Sequence, residues 1–455
     1  MSASSTLLAS TIIRNAAIVS MDPAIGELER GDILIEHGRI TEVSTSIDVS
    51  VQNEINGQGM IAIPGFVDSH RHCWEGLIRN ALPDGTLTDY FRTVNGRFGP
   101  AYKPDDVYAG TLISMVGALN AGVTTVLDWA HVQNTPEHTA ASIQALRDSG
   151  GRAVFGFGTP TAFDQGHRYP DDILRLARDD FTGRDQLLTL ALATNSPEHA
   201  SDEATKHCWN TAREAGARIT AHAGLWGVGT PNEIERFGRE GMLGPDVTLI
   251  HCGFLSPEEW RIIAATGTTV SLSAQVELLM GHGSAPIQQA LDVGILPSLS
   301  VDVETSVPGD FFTHMRATLA EQRGEVFRRR HRGDDTLPEL IGVRDVMRMA
   351  TVAGAEANGL ADRVGSLSPG KQADVVLLRA DAVNVLPVND LVGAVVSGMD
   401  VSNVDTVMVG GRIVKQGGEL IGIDLGALYE RVYAARDRVF SRADVACGCS
   451  RHLLR

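Results

Sequence analysis

The chain has 455 residues, 43% of them hydrophobic and 21% charged, enough apolar material for a large core and enough length for a barrel of about 250 residues plus a smaller domain. Its formal charge of −17, from 56 acids against 39 bases, repels phosphate backbones and argues against nucleic acid as a partner. No run approaches the ~18 uninterrupted apolar residues of a membrane span, no basic stretch leads into a long apolar one at the N-terminus, and the five scattered cysteines are no disulfide framework, so a cytoplasmic protein without membrane contacts is expected.

Taken in order, the chain opens with β-branched runs at Thr11–Val19 and Gly31–Ile40, broken by Gly and Asp, which read as short strands. The other end has the same texture: Ala373–Leu378 and Val404–Val414 read as strands, the latter folded at a Gly-Gly turn. Residues 1–60 and 363–455 are therefore expected to build one small β-sandwich domain from both termini. Between them, over 61–362, eight apolar runs alternate with stretches of helical spacing. The runs are Ile61–His72, Gly122–His131, Arg152–Thr161, Gln186–Asn195, Arg218–Ala223, Val247–Gly253, Thr268–Ala274 and Ile295–Val303; helical segments include Thr139–Ser149, Glu203–Ala215 and Pro257–Ala265. Strands alternating with helices imply parallel pairing, and eight of them predict an α/β fold of the (β/α)8, TIM-like barrel type. A doubly wound sheet is the alternative, weakened by the lack of a G-x-G-x-x-G after an early strand. Arg328, Arg329, Arg330 and Arg332 read as a solvated helix end, and Cys447-Gly-Cys449 as a tail.

In such a barrel the active site lies at the C-terminal ends of the strands. Five of the fourteen histidines fall at predicted strand ends: His70, His72, His131, His222 and His251. His70 and His72 are two apart, so a strand turns both imidazoles the same way. With His222, and with Asp302 at the end of the eighth run, they form a donor set suited to one divalent ion, zinc being expected first and iron, manganese or cobalt also acceptable. Asp302 can serve as ligand and general base, and His251 as ligand or as a group polarising the substrate's carbonyl. Residues able to line the pocket include Trp74, Glu75, His131, Asp164, His167, Arg168, Glu277, His282 and Glu304, with Trp129 and Phe163 as packing.

Pro64-Gly-Phe-Val-Asp-Ser-His-Arg-His72 resembles the strand-one signature of the amidohydrolase superfamily. Gly122–Asp128, His251-Cys-Gly-Phe-Leu-Ser and Gly365–Val375 are similar to its second strand, its sixth strand and its re-entry into the β-domain. The likeness is closest to the branch of triazine hydrolases and nucleobase or adenosyl deaminases. It implies an ion on His70, His72, His222 and Asp302, with His251 contacting substrate or ion, and a homo-oligomer acting on a small molecule. Two departures stand out. Deaminases of this branch carry His-x-x-Glu at strand five, whereas here the stretch is His222-Ala-Gly-Leu225; and Asn195 stands where many members have a histidine after strand four. This set resembles most the phenylurea hydrolase and molinate hydrolase group. The implied reaction is cleavage of a non-peptide C–N bond, in an amide, urea or (thio)carbamate, by metal-activated water. Asp302 moves the proton to the leaving group, and His251 or Asn195 stabilises the oxyanion. The alternatives are a deaminase or dechlorinase of an aromatic heterocycle, with Glu277 or His282 replacing the missing glutamate, and a structural relative without activity.

Overall fold

The computed structural model describes residues 10–161, 169–183, 186–194, 200–225 and 232–446. The N-terminal segment forms β1 (Thr11–Val19), β2 (Glu27–Glu36), β3 (Arg39–Ser44), β4 (Asn53–Asn56) and β5 (Met60–Pro64). The barrel follows: β6 (Phe66–Arg71), β7 (Val123–Ala130), β8 (Arg152–Gly158), β9 (Leu188–Thr194), β10 (Arg218–Ala223), β11 (Val247–His251), β12 (Thr269–Leu272) and β13 (Ser298–Leu299). The chain then adds β14 (Val375–Arg379), β15 (Val404–Val409), β16 (Arg412–Gln416) and β17 (Glu419–Leu420).

Strands β6 to β13 pair in sequence order, all parallel, in one eight-stranded sheet. A parallel bridge between Arg71 and Asp302 joins its two edges and draws the sheet towards closure. The predicted strands are wholly or largely apolar because helices cover the outside and side chains fill the inside, so β6, β7, β8 and β11 are buried along their whole length. The remaining nine strands form a separate mixed sheet in the order β17-β16-β15-β14-β5-β1-β2-β3, with β4 on β1. Both ends of the chain supply it, and the β15–β16 turn at Gly410-Gly411 has both residues at positive φ, the conformation of a tight hairpin.

The first apolar run is not one strand. Met60–Pro64 pairs with β1 and β14 in the mixed sheet, and only Phe66–Arg71 belongs to the barrel. The break falls at Gly65, where a Cβ would meet the Thr124 side chain at 2.1 Å. The buried pair Arg152–Asp374 ties β8 to the mixed sheet through two bonds of 2.8 and 2.9 Å. Toward the C-terminus, the helix Leu425–Ala443 packs mainly on the barrel helix Pro104–Asn120, where Arg438 and Arg442 pair with the buried Asp106. The arginine cluster ends the helix Phe311–Arg332, where it pairs with Glu321, Glu325 and Asp334 and complements the helix dipole. Cys447 and Cys449 lie outside the described residues. Among the described residues no helix is long and apolar enough to cross a membrane.

Candidate active site

The barrel sheet delivers His70 and His72 from β6, His222 from β10, His251 from β11 and Asp302 from just beyond β13 to one place. His70 Nε2 lies 3.1 Å and His72 Nε2 3.3 Å from Asp302 Oδ1. The His70 ring meets the rings of His72 and His222 edge-on at 4.7 and 5.0 Å. His222 and His251 stack 5.5 Å apart, and His251 Nε2 is 3.7 Å from Asp302 Oδ2. The ligand atoms of His70, His72 and Asp302 all lie within 4.8 Å of one another, and so do those of His70, His222 and His251.

Surrounding groups fix these rings. The backbone ladder continues past β6, with Asp302 N donating to His70 O and His72 N to Asp302 O, both at 2.9 Å. Nδ1 of His72 contacts the Trp129 carbonyl oxygen at 2.8 Å, and Nδ1 of His251 contacts Glu277 at 3.1 Å. A proton held on Nδ1 by these acceptors leaves Nε2 as a lone pair, the state a metal needs. His251, Cys252 and Asp302 hold φ of +72, +57 and +66°, a left-handed backbone that costs about 1–3 kcal/mol each and recurs at functional sites.

Electrostatics points the same way. Burial pushes His70 down to about 4, His282 down to about 3, and His222 and His131 well below the usual histidine range. Neutral imidazoles are what coordination requires. Burial works against ionisation of Asp302, but hydrogen bonds from His70 and His72 outweigh it and hold its carboxyl well below the usual range. Burial pulls His72 and His251 down too, but Asp302, and for His251 Glu277 before it, outweigh burial and raise both. Imidazoles gathered around one ionised carboxylate are a donor set that fits a borderline divalent ion such as zinc.

A cavity of about 270 Å³ opens over this cluster. His72, His131, His222, His251, His282 and Asp302 supply its polar face, and Leu87, Phe91, Leu225, Met280 and Val303 its apolar face. Asp302 is the one carboxylate among the described lining residues, which include no lysine or arginine.

The other sequence candidates fall in three places. His131 and His282 line the cavity; His282 sits edge-on to His251 at 4.8 Å, and neither of its ring nitrogens has a hydrogen-bond partner among the described residues. Trp74, Glu277 and Glu304 stand behind it. Trp74 is buried edge-on to Tyr102 and His131. Glu277 accepts from His251 and from the backbone of Ser273 at 3.0 Å. Glu304 pairs with Arg79 at 2.8 Å and faces the buried Arg71 at 3.6 Å, so its charge is already neutralised. Asn195, His167, Asp164, Arg168 and Phe163 lie outside the described residues. The sequence reading missed the wall made by Leu87, Tyr90, Phe91 and Asn95, which comes from the short helices between β6 and β7. The available signal was the length of that connection, far beyond one helix and two turns.

Comparison with known proteins agrees with this architecture. Residues 61–414 match the amidohydrolase family. The chain is similar to a 5'-deoxyadenosine deaminase of Methanosarcina mazei, 26% identical over 96% of this chain and all of that one. It is also similar to a 5-methylthioadenosine/S-adenosylhomocysteine deaminase of Caldicellulosiruptor saccharolyticus, 25% identical over 92% of this chain and 96% of that one. In fold it resembles a zinc-bound adenosine deaminase from Xanthomonas campestris, with a TM-score of 0.82 at 21% identity over 95% and 98% of the two chains. An atrazine chlorohydrolase from Arthrobacter aurescens complexed with zinc gives 0.81 at 24% identity over 94% and 100%. With a match spanning most of its length and a barrel site of the kind described, the chain belongs to the amidohydrolase family, whose members among its relatives are hydrolases and deaminases acting on C–N bonds.

Proposed function

We propose that this protein hydrolyses the C–N bond of a neutral small-molecule amide, urea or (thio)carbamate, in the manner of the phenylurea and molinate hydrolase group. The observation that carries the reading is Leu225. It lines the cavity three residues after His222, where the family resemblance implies a glutamate in the deaminases, and Asp302 is the one carboxylate among the described lining residues. The absence of lysine and arginine from that wall favours an uncharged substrate, and Leu87, Phe91 and Met280 favour an apolar substituent on it.

His70, His72, His222 and Asp302 would hold one divalent ion, zinc first, with His251 beside it. When bound, such an ion supplies the positive charge that makes a water acidic enough to attack near pH 7. Asp302, kept ionised by its histidine neighbours, would accept the proton of the attacking water. His251, aligned by Glu277, is placed to stabilise charge on the substrate oxygen. Both groups are buried, which strengthens their charge interactions over those in water. In this scheme the barrel strands β6 to β13 are the catalytic unit, and the mixed sheet from both termini supports it.

A second reading is supported by the relatives named 5'-deoxyadenosine deaminases, which align over 96% of the chain. Here His282 or His131 would do the glutamate's work on an aminated heterocycle. The non-catalytic alternative has no support, because the donor set is complete. A panel of phenylureas, thiocarbamates and aminoheterocycles separates the two enzymatic readings. Release of the organic amine or thiol supports the hydrolase; release of ammonia from heterocycles alone replaces it with the deaminase.

A further inference from the structure

A second cavity, of about 510 Å³, opens where the barrel strands begin, at the end away from the histidine cluster. Val154 of β8, Thr189 and Leu190 of β9 and Arg218, the first residue of β10, line it. The segment that follows the helix Gly354–Ala357 completes the wall with Gly359, Leu360 and Arg363. Four steps of extended strand, about 13 Å, separate Arg218 from His222, and the two cavities share no described lining residue. The barrel wall is open here. β6, β7, β8 and β11 are buried along their whole length, yet Thr189 and Leu190, on opposite faces of β9, are both only half-buried.

Charge is what marks this cavity. Arg218 Nη1 donates to Pro245 O at 2.8 Å, and Nη2 to Ala357 O at 3.0 Å and to Thr248 Oγ1 at 3.5 Å. All three acceptors are neutral, and Nε–H has no acceptor among the described residues. No described carboxylate pairs with this guanidinium. Of its two acidic neighbours, Asp246 is held by Arg213 at 2.8 Å and Glu356 is exposed. Burial lowers the Arg218 pKa, and those two acids offset it only in part. The turn beside it is shaped to receive it: at Gly359, with φ of +66°, a Cβ would lie 2.5 Å from Arg218 Cδ and 3.0 Å from Nε. Arg363 brings a second guanidinium to the wall, and among the described residues no aspartate or glutamate lines the cavity. Val154, Phe181, Leu190 and Leu360 add apolar surface.

We propose that this cavity is a second ligand site, separate from the catalytic one, for an organic anion. A carboxylate or phosphate ester binds Arg218 and Arg363, and its apolar body lies against Phe181, Leu190 and Leu360. A half-buried cation that lacks a counter-charge recovers from an anion what it lost on leaving water. The volume falls within the range of about 300–1,000 Å³ that small-molecule sites span. The proposal holds whichever bond the active site cleaves.

The test is titration calorimetry of the metal-loaded protein with phenylacetate, phenyl phosphate, inorganic phosphate and the neutral phenylacetamide. Wild type, Arg218→Gln, Ala177→Trp and His222→Ala are compared, each with thermal melting. Ala177 is a half-buried lining residue on the helix Asp172–Asp179, so a tryptophan there fills the cavity and leaves both arginines in place. Phenylacetate or phenyl phosphate is expected to bind with a Kd below about 1 mM, the tighter of the two naming the head group. Phenylacetamide and inorganic phosphate should bind at least about tenfold more weakly, one lacking the charge and the other the apolar body. Arg218→Gln and Ala177→Trp should each weaken binding by about tenfold or more, and His222→Ala should leave it unchanged. No saturable binding of either organic anion, equal binding of the amide or of inorganic phosphate, or binding that survives in folded Ala177→Trp overturns the site. Binding lost in His222→Ala places the anion at the active-site metal and overturns it equally. Should Arg218→Gln fail to fold, Ala177→Trp decides.

Discussion

Glu277 offers the most direct test of how this site is held. It is 1% exposed and receives two hydrogen bonds, from His251 Nδ1 at 3.1 Å and from Ser273 N at 3.0 Å. Glu277→Ala leaves both donors buried and unpaired. Each such group costs about 1–3 kcal/mol, so the fold should lose about 2–6 kcal/mol, read as a lower midpoint in urea with the slope unchanged. His251 also loses the acceptor that fixes its tautomer. Removing a partner of this kind typically costs 10–100-fold in activity, or about 1.4–2.8 kcal/mol of transition-state stabilisation in kcat/KM. Glu277→Gln keeps an oxygen for both donors and should recover most of the stability and part of the activity. If Glu277→Ala retains kcat/KM within about twofold, His251 is not a working part of the site. If Gln is as damaging as Ala, the negative charge and not the geometry of the bond is what matters.

Asp302→Asn and His222→Ala should each lower the metal content from about one ion per chain, measured by mass spectrometry on purified protein, and lower activity in parallel; unchanged metal in both would remove the proposed ligand set. Asp374→Ala strands the Arg152 guanidinium, 1% exposed at the side chain, without its partner, and should cost about 3–5 kcal/mol in denaturant unfolding; a loss under about 1 kcal/mol would show that the joint between β8 and the mixed sheet is not energetically coupled. Burial pushes Asp128 up to about 6, and its Oδ2 has no partner. A raised carboxyl favours folding while protonated, and that contribution is lost as pH rises through about 6. Asp128→Asn should therefore be more stable than wild type above pH 6, by up to about 3 kcal/mol, with the difference vanishing below about pH 4; a constant difference across that window would contradict it.

Parallel strands buried on both faces announce themselves as apolar runs, which is why all eight barrel strands were legible without coordinates. The histidine pair of β6 could be paired by its spacing alone, since two residues along a strand return to the same side. Leu225 was readable as a departure for the same local reason: it stands three residues after His222. The ends of the runs were less secure. Met60–Pro64 and Phe66–Arg71 read as one strand, because nothing in their composition tells which sheet each joins; their partners, β1 and β14 for one and β7 for the other, come from distant parts of the chain.

What becomes of the glutamates behind the cavity could not be read from the chain. Glu75, Glu277 and Glu304 look alike as residues after strand ends, yet one lies on a tyrosine hydroxyl, one behind a histidine and one between two arginines. Their fates depend on partners from other segments, Arg79 being 225 residues from Glu304 and His251 26 from Glu277. Periodicity and composition are local properties and set the elements and their order. The charge state of a buried carboxyl is set by whatever the closed barrel brings against it, and that is known only once the strands have met.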